Sequence, residues 1–231
     1  MGYFMILLHS TKDDIYGKIP LIPIGSIEQH GPHLPMGTDS IIVEEIAKRI
    51  EKMLSDKILL FPTIYYTCSI EHGDFPYFGV SYITMISYLT ELVNQLSRYF
   101  DKAIILNGHG GNESILDIVK RSINFQNKHF KLYIFSVVGK GLEYFKIRDL
   151  HAGTVESSII KYINPRLVRE ERLKDIDYTV KDGVFNTITT SDANPHGIIN
   201  LDGKVKIDEK LGEEFISRVV NDLYSFILSL E

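Results

Sequence analysis

The residues able to do chemistry gather in two short stretches. The first is Gly25-Ser26-Ile27-Glu28-Gln29-His30-Gly31-Pro32-His33-Leu34-Pro35 with Thr38-Asp39 behind it, and the second is Asn107-Gly108-His109-Gly110-Gly111-Asn112. Glu28, His30, Asp39 and His109 offer carboxylate oxygen and imidazole nitrogen, a donor set that suits zinc, manganese or ferrous iron. Selectivity among these ions follows geometry and supply rather than raw affinity. An acid-histidine-acid-histidine set of this kind makes a hydrolytic metal centre if the fold brings the two stretches together.

Each residue also has a plainer reading. Glu28 alone is a solvated loop acid, and Asp39 alone is the cap of a following helix. His33 lies three residues after His30 in a loop broken by Pro32 and Pro35, so the two rings need not face the same way; His33 reads first as a donor that supports the loop. Cys68, the single cysteine, reads as a small buried hydrophobe rather than a nucleophile.

The elements that must position these side chains follow from hydrophobic spacing. Short apolar runs that end in glycine-bearing loops alternate with helical segments, the pattern of βα units and a parallel sheet. Ile19 to Gly25 is apolar on both faces, as a buried parallel strand is, while its prolines suggest a place near a sheet edge. Ser40 to Leu54 sets Ile42, Val43, Ile46, Ile50 and Met53 on one helical stripe, with Asp39 or Ser40 suited to cap it. Met1 to Leu8, Lys57 to Phe61, Lys102 to Leu106 and Lys131 to Val138 read as further strands. Ile83 to Phe100, Glu113 to Asn124, Val155 to Ile163 and Asp208 to Leu230 read as helices. Pro62 to Ser81 is a long loop, and loops of that length are often functional. In a parallel sheet ligands bind at the carboxyl ends of strands, which is where both chemical stretches fall.

Composition bounds the partners. With 231 residues, 44% hydrophobic and 24% charged, the chain is expected to form one domain over residues 1–231 with a sizeable core. The net charge of -5, with no dense Lys/Arg block, speaks against nucleic acid. The apolar start is too short to span a membrane and lacks a basic leader, and one cysteine fits a reducing cytoplasm, so a cytoplasmic location is expected.

The first stretch, the second, and a third, His151-Ala152-Gly153-Thr154-Val155-Glu156-Ser157, together resemble the creatininase (creatinine amidohydrolase) family, from about Ile19 to the C-terminal helix. The resemblance implies a three-layer α/β/α domain with a mainly parallel central sheet and a site for two divalent ions (Zn, Mn or Fe(II)). Glu28, Asp39 and His109 would bind one ion, and His30 with a bridging Asp39 the other. His151 matches a histidine that acts near the scissile bond as proton donor to the leaving nitrogen, its plain alternative being a cap for the next helix. Two departures matter: Gly111 stands where creatininase has a second-metal glutamate, with Glu156 the candidate replacement or proton shuttle, and there is no tryptophan to close the pocket. Ser69-Ile70-Glu71-His72-Gly73 resembles the family's substrate-side loop, but Tyr77 to Val80 depart from it.

The resemblance therefore implies hydrolysis of a C-N bond in a small amide, the first choice being a formamide: deformylation of a formylamino-pyrimidine ribotide. The alternatives are creatinine-type cyclic amide hydrolysis, peptide trimming in redox-cofactor maturation, or a binding module whose chemistry has lapsed. Family members are homo-oligomers, including hexamers, and self-association is expected here.

Overall fold

The computed structural model of the chain describes residues 6–230. Its centre is a four-stranded parallel sheet in the order β2-β1-β3-β4, formed by β1 (Ile19–Ile24), β2 (Ile58–Leu60), β3 (Lys102–Asn107) and β4 (Lys131–Ser136). The helices are α1 (Thr38–Met53), α2 (Tyr82–Leu96), α3 (Glu113–Gln126), α4 (Lys140–Phe145), α5 (Thr154–Ile163), α6 (Thr190–Ala193) and α7 (Glu209–Leu228). A small antiparallel pair, β5 (Asp149–His151) and β6 (Ile199–Asn200), stands apart from the main sheet.

Because successive strand residues point to opposite faces, the sheet divides the core in two. Leu21, Ile58, Leu60, Ile104 and Leu106 face one way and pack with Ile46 and Ile50 of α1, Ile159 of α5, and Phe215, Val219 and Leu223 of α7. Ile22, Ile24, Ala103, Ile105 and Leu132 face the other way, against Met85, Leu89 and Val93 of α2 and Leu116, Val119 and Ile123 of α3. The result is a three-layer α/β/α arrangement, and the strands are apolar on both faces because both are covered.

Three expectations need correction. β1 is an interior strand, paired with both β2 and β3, despite its prolines. Pro20 precedes the β3 register, which starts at Leu21. Pro23 turns its carbonyl away from β3 to accept from Ile64, on a side where the β2 register has already ended at Leu21, so neither missing N–H breaks the pairing. Met53, placed on the buried stripe of α1, is 49% exposed, because that helix ends where it leaves the sheet. The strand expected over residues 1–8 lies outside the described residues for its first five; beyond them Ile6 bridges Leu60 and Leu7–His9 forms a 3-10 turn. Among the described residues no helix is long and apolar enough to cross a membrane.

Candidate metal centre

Four loops converge at the carboxyl ends of β1 and β3 and at the end of β5. The loop after β1 is pinned by Glu28 N–H donating to Met36 O (2.9 Å) and Gln29 N–H donating to Pro76 O (2.9 Å). Ser40 Oγ donates to Ser26 O at 2.9 Å, and Ser26 Oγ donates to Asp39 Oδ2 at 2.8 Å, so the start of α1 is stitched to the end of β1. Asp39 sits inside the first turn of α1, whose N-cap is Gly37 without a side-chain bond. The aspartate is thus no cap; its carboxylate turns to the cluster instead.

The structure brings Glu28, His30, Asp39 and His109 together, all of them buried. His30 Nε2 is 3.1 Å from Asp39 Oδ1. His109 Nδ1 is 3.1 Å from Asp39 Oδ2 and 3.3 Å from Glu28 Oε1. The carboxylate of Asp39 therefore lies between the two imidazoles, one oxygen to each. His30 Nδ1 lies 3.1 Å from the carbonyl of Glu28; a proton held there leaves Nε2 free as a ligand. The second carboxylate oxygen of Glu28, Oε2, is buried without a hydrogen-bond partner, a costly state for an acid unless a cation completes it.

His151 and Glu156 join the same cluster from the other side. His151 Nε2 lies 2.7 Å from Gln29 O, its Nδ1 is 3.9 Å from Glu28 Oε1, and its ring packs on His30 with centroids 4.2 Å apart. It does not cap α5. That task falls to Asp149, which accepts from the N–H groups of Gly153, Val155 and Glu156. Glu156 Oε2 accepts from Ala152 N–H at 2.6 Å and lies 3.8 Å from His30 Nε2. Ala152 between them holds φ +53°, a strained conformation of the kind that clusters at functional sites. His33 points away from the cluster, its Nε2 2.7 Å from Ser157 Oγ, and so braces the loop.

Electrostatics follow from this crowding. Burial alone would lower His30, but Asp39, Glu156 and Glu28 outweigh it and raise the imidazole to about 10. His109 is likewise raised by Glu28, Asp39 and Glu71 against the cost of burial. Burial would raise Glu28 and Asp39, and the facing histidines pull both below the usual carboxylate range. Glu156 is pushed up to about 8 by burial, with Asp149 and Asp39 adding to it. Burial, with His30 and His72 nearby, holds His151 well below the ordinary histidine value. The Cys68 thiol is pushed up to about 11, mainly by burial, and donates to Val80 O at 3.0 Å, which makes it a packed hydrophobe and no nucleophile.

Three further participants lie in stretches the sequence reading quoted but were given no individual role there. His72 Nε2 is 3.1 Å from Glu28 Oε1. Glu71 Oε1 is 3.1 Å from His109 Nε2. Gln29 Nε2 contacts His72 Nδ1 and His151 Nε2, each at 3.0 Å. The signal for the first two was an adjacent acid and histidine within a long loop. Beside the cluster opens a cavity of about 690 Å3 whose walls include His72, His109, His151, Tyr82, Leu150 and Phe185.

The family model described as creatinine amidohydrolase matches residues 13–227. The chain belongs to the creatininase family. Among its relatives, the mycofactocin precursor peptide peptidase of Mycolicibacterium smegmatis is 29% identical over 173 residues, covering 71% of this chain and 66% of that protein. The chain thus spans just under two thirds of the length of that peptidase. The 2-amino-5-formylamino-6-ribosylaminopyrimidin-4(3H)-one 5'-monophosphate deformylase of Methanocaldococcus infernus is 29% identical over 226 residues, covering 91% of this chain and 92% of that protein. A crystal structure of creatinine amidohydrolase superposes with a TM-score of 0.79 at 19% identity, covering 98% of this chain and 97% of the other, which shows the creatininase fold.

Proposed function

We propose that this creatininase-family protein is a metal-dependent amidohydrolase that breaks a C-N bond, other than a peptide bond, in a small amide. The observation that carries the reading is the buried, unpartnered Glu28 Oε2 within a cluster that alternates carboxylates and imidazoles. Glu28, Asp39 and His109 would hold one divalent ion, and His30 with Asp39 the other, with Glu156 beside His30 as a further ligand or proton carrier. Zinc, manganese and ferrous iron all suit these donors. When bound, such ions polarise a carbonyl and generate a nucleophile from water at neutral pH.

The remaining work belongs to the chain. With Nε2–H given to Gln29 O, His151 would present an unprotonated Nδ1 toward the cluster, where it can take a proton from the attacking water and hand that proton on to the leaving nitrogen. Glu156, raised to about 8, holds a proton near neutrality that a more solvated glutamate would have lost. Burial of the whole set excludes water from side reactions and strengthens each charge interaction.

A formamide is the substrate of choice, specifically 2-amino-5-formylamino-6-ribosylaminopyrimidin-4(3H)-one 5'-monophosphate. The support is the near end-to-end match with the archaeal deformylases, 91% of this chain on 92% of the M. infernus protein. A second reading, trimming of a precursor peptide, is favoured by the mycobacterial relatives and by the apolar walls of the cavity at Tyr82, Ile86, Ile118, Leu150 and Phe185. Incubation of metal-loaded protein with the formylamino ribotide should release formate. No formate, with turnover of an apolar peptide amide, would transfer the assignment to the second reading. Purified protein should carry about two divalent ions per chain, as binuclear hydrolases do, and Asp39→Ala or His109→Ala should lower metal content and activity together. Full occupancy in both variants would remove the site assignment, whereas weak or absent metal binding by the wild type would leave a binding module. We further take the protein to be a single-domain cytoplasmic homo-oligomer, with light scattering as the check on assembly.

A further inference from the structure

We infer that Glu71 is a positioning residue for His109, its carboxylate filling the space over Gly111 and fixing the histidine's ligand nitrogen. The inference rests on His109 binding metal, as proposed above. The His109 ring meets carboxylates at both nitrogens: Nδ1 faces Glu28 and Asp39, while Nε2 faces Glu71 Oε1 at 3.1 Å and the Cys68 carbonyl at 2.7 Å. With Nδ1 given to an ion that Glu28 and Asp39 would share, Nε2 keeps the ring's one proton and shares it between Cys68 O and Glu71. A carboxylate on the far nitrogen holds the tautomer and ring orientation and makes the near nitrogen a stronger base toward a cation.

The surroundings are built for Glu71 to be there. A Cβ added at Gly111 would come within 2.5 Å of His109 Nε2 and closer still to Glu71 Oε1, so any side chain at 111 evicts the carboxylate. Glu71 belongs to a 3-10 turn, Ile70–His72, that is tied to α6 by Thr190 Oγ1 donating to Glu71 O at 3.2 Å. The following Gly73, at φ +63°, lies against Thr189 and Ser191, where a side chain would have no room. Glu71 Oε2 is buried without a partner. Packing alone would select an apolar residue at this place, since an unsatisfied carboxylate oxygen is costly.

The test is a zinc titration of wild type, Glu71→Gln and Gly111→Ala against a chromophoric chelator. Glutamine keeps the volume and removes the charge, so a space-filling role predicts unchanged affinity. The positioning role predicts the same number of ions at saturation with affinity lowered about 10- to 100-fold. Gly111→Ala, whose Cβ would crowd both the carboxylate and His109 Nε2, should show at least as large a loss, and circular dichroism of both variants guards against a folding defect. Unchanged affinity in Glu71→Gln overturns the inference, as does loss of one ion at saturating zinc, which would make Glu71 a direct ligand. If wild type itself binds no zinc, the metal reading fails; if wild type binds and the variants match it, only the role of Glu71 falls.

Discussion

At the scale of single residues, the cluster stores its charge as protons. In the metal-free protein His30, raised to about 10, and His109, also raised, are cationic at pH 7 and balance the carboxylates of Glu28 and Asp39. A metal ligand must be a neutral imidazole, so loading expels these protons and affinity rises with pH. Calorimetric zinc titration in two buffers of different ionisation enthalpy should therefore show release of about two protons per loaded chain at pH 7. Zinc binding without proton release would mean that the imidazoles are not the ligands. Glu28, His30, Asp39 and His109 were legible in the sequence because acids and histidines crowd two glycine-bearing loops. The contacts of His72, Glu71 and Gln29 with them were not, although resemblance had marked residues 69–73 as a substrate-side loop, because those contacts depend on how residues 62–81 fold back over β1, and no local spacing records that path.

At the scale of elements, periodicity marked the long helices well. α1, α2, α3, α5 and α7 fall where the spacing predicts helices, α1 buries Ile42, Val43, Ile46 and Ile50 of its predicted stripe though not Met53, and the three longer sheet strands fall where apolar runs end in glycine or asparagine. The short pieces were illegible: β5, β6 and α6 span two to four residues, too few for any period to show. Prolines misled the placement of β1, since what matters is whether each missing N–H faces a partner, and that depends on neighbours far away in sequence. The packing of α5 on α7 gives a direct test of element geometry. A Cβ on Gly212 of α7 would lie 2.5 Å from the Ser158 carbonyl carbon and closer still to its oxygen, and backbone cannot swing aside as a side chain can. Gly212→Ala should cost about 1–3 kcal/mol by denaturant unfolding; a change within about 0.5 kcal/mol, the range of neutral surface substitutions, would show that the helices do not cross this closely.

At the scale of the whole molecule, two apolar layers hold a rigid parallel sheet, and the chemistry sits where its strands end. The βα units and parallel sheet were readable from the alternation of apolar runs and helical stripes, while the three-layer arrangement was implied by the resemblance to the creatininase family. The join between the cluster and the segment from Gly139 onward was not, since His151 and Glu156 arrive by a small antiparallel pair rather than another βα unit. Everything converges on one claim, that Glu28, His30, Asp39 and His109 surround a pair of divalent ions. Anomalous diffraction from crystals of zinc- or manganese-loaded protein tests it directly. The prediction is one peak between Glu28, Asp39 and His109 and a second between Asp39 and His30; loaded crystals with no peak among these four side chains would contradict it.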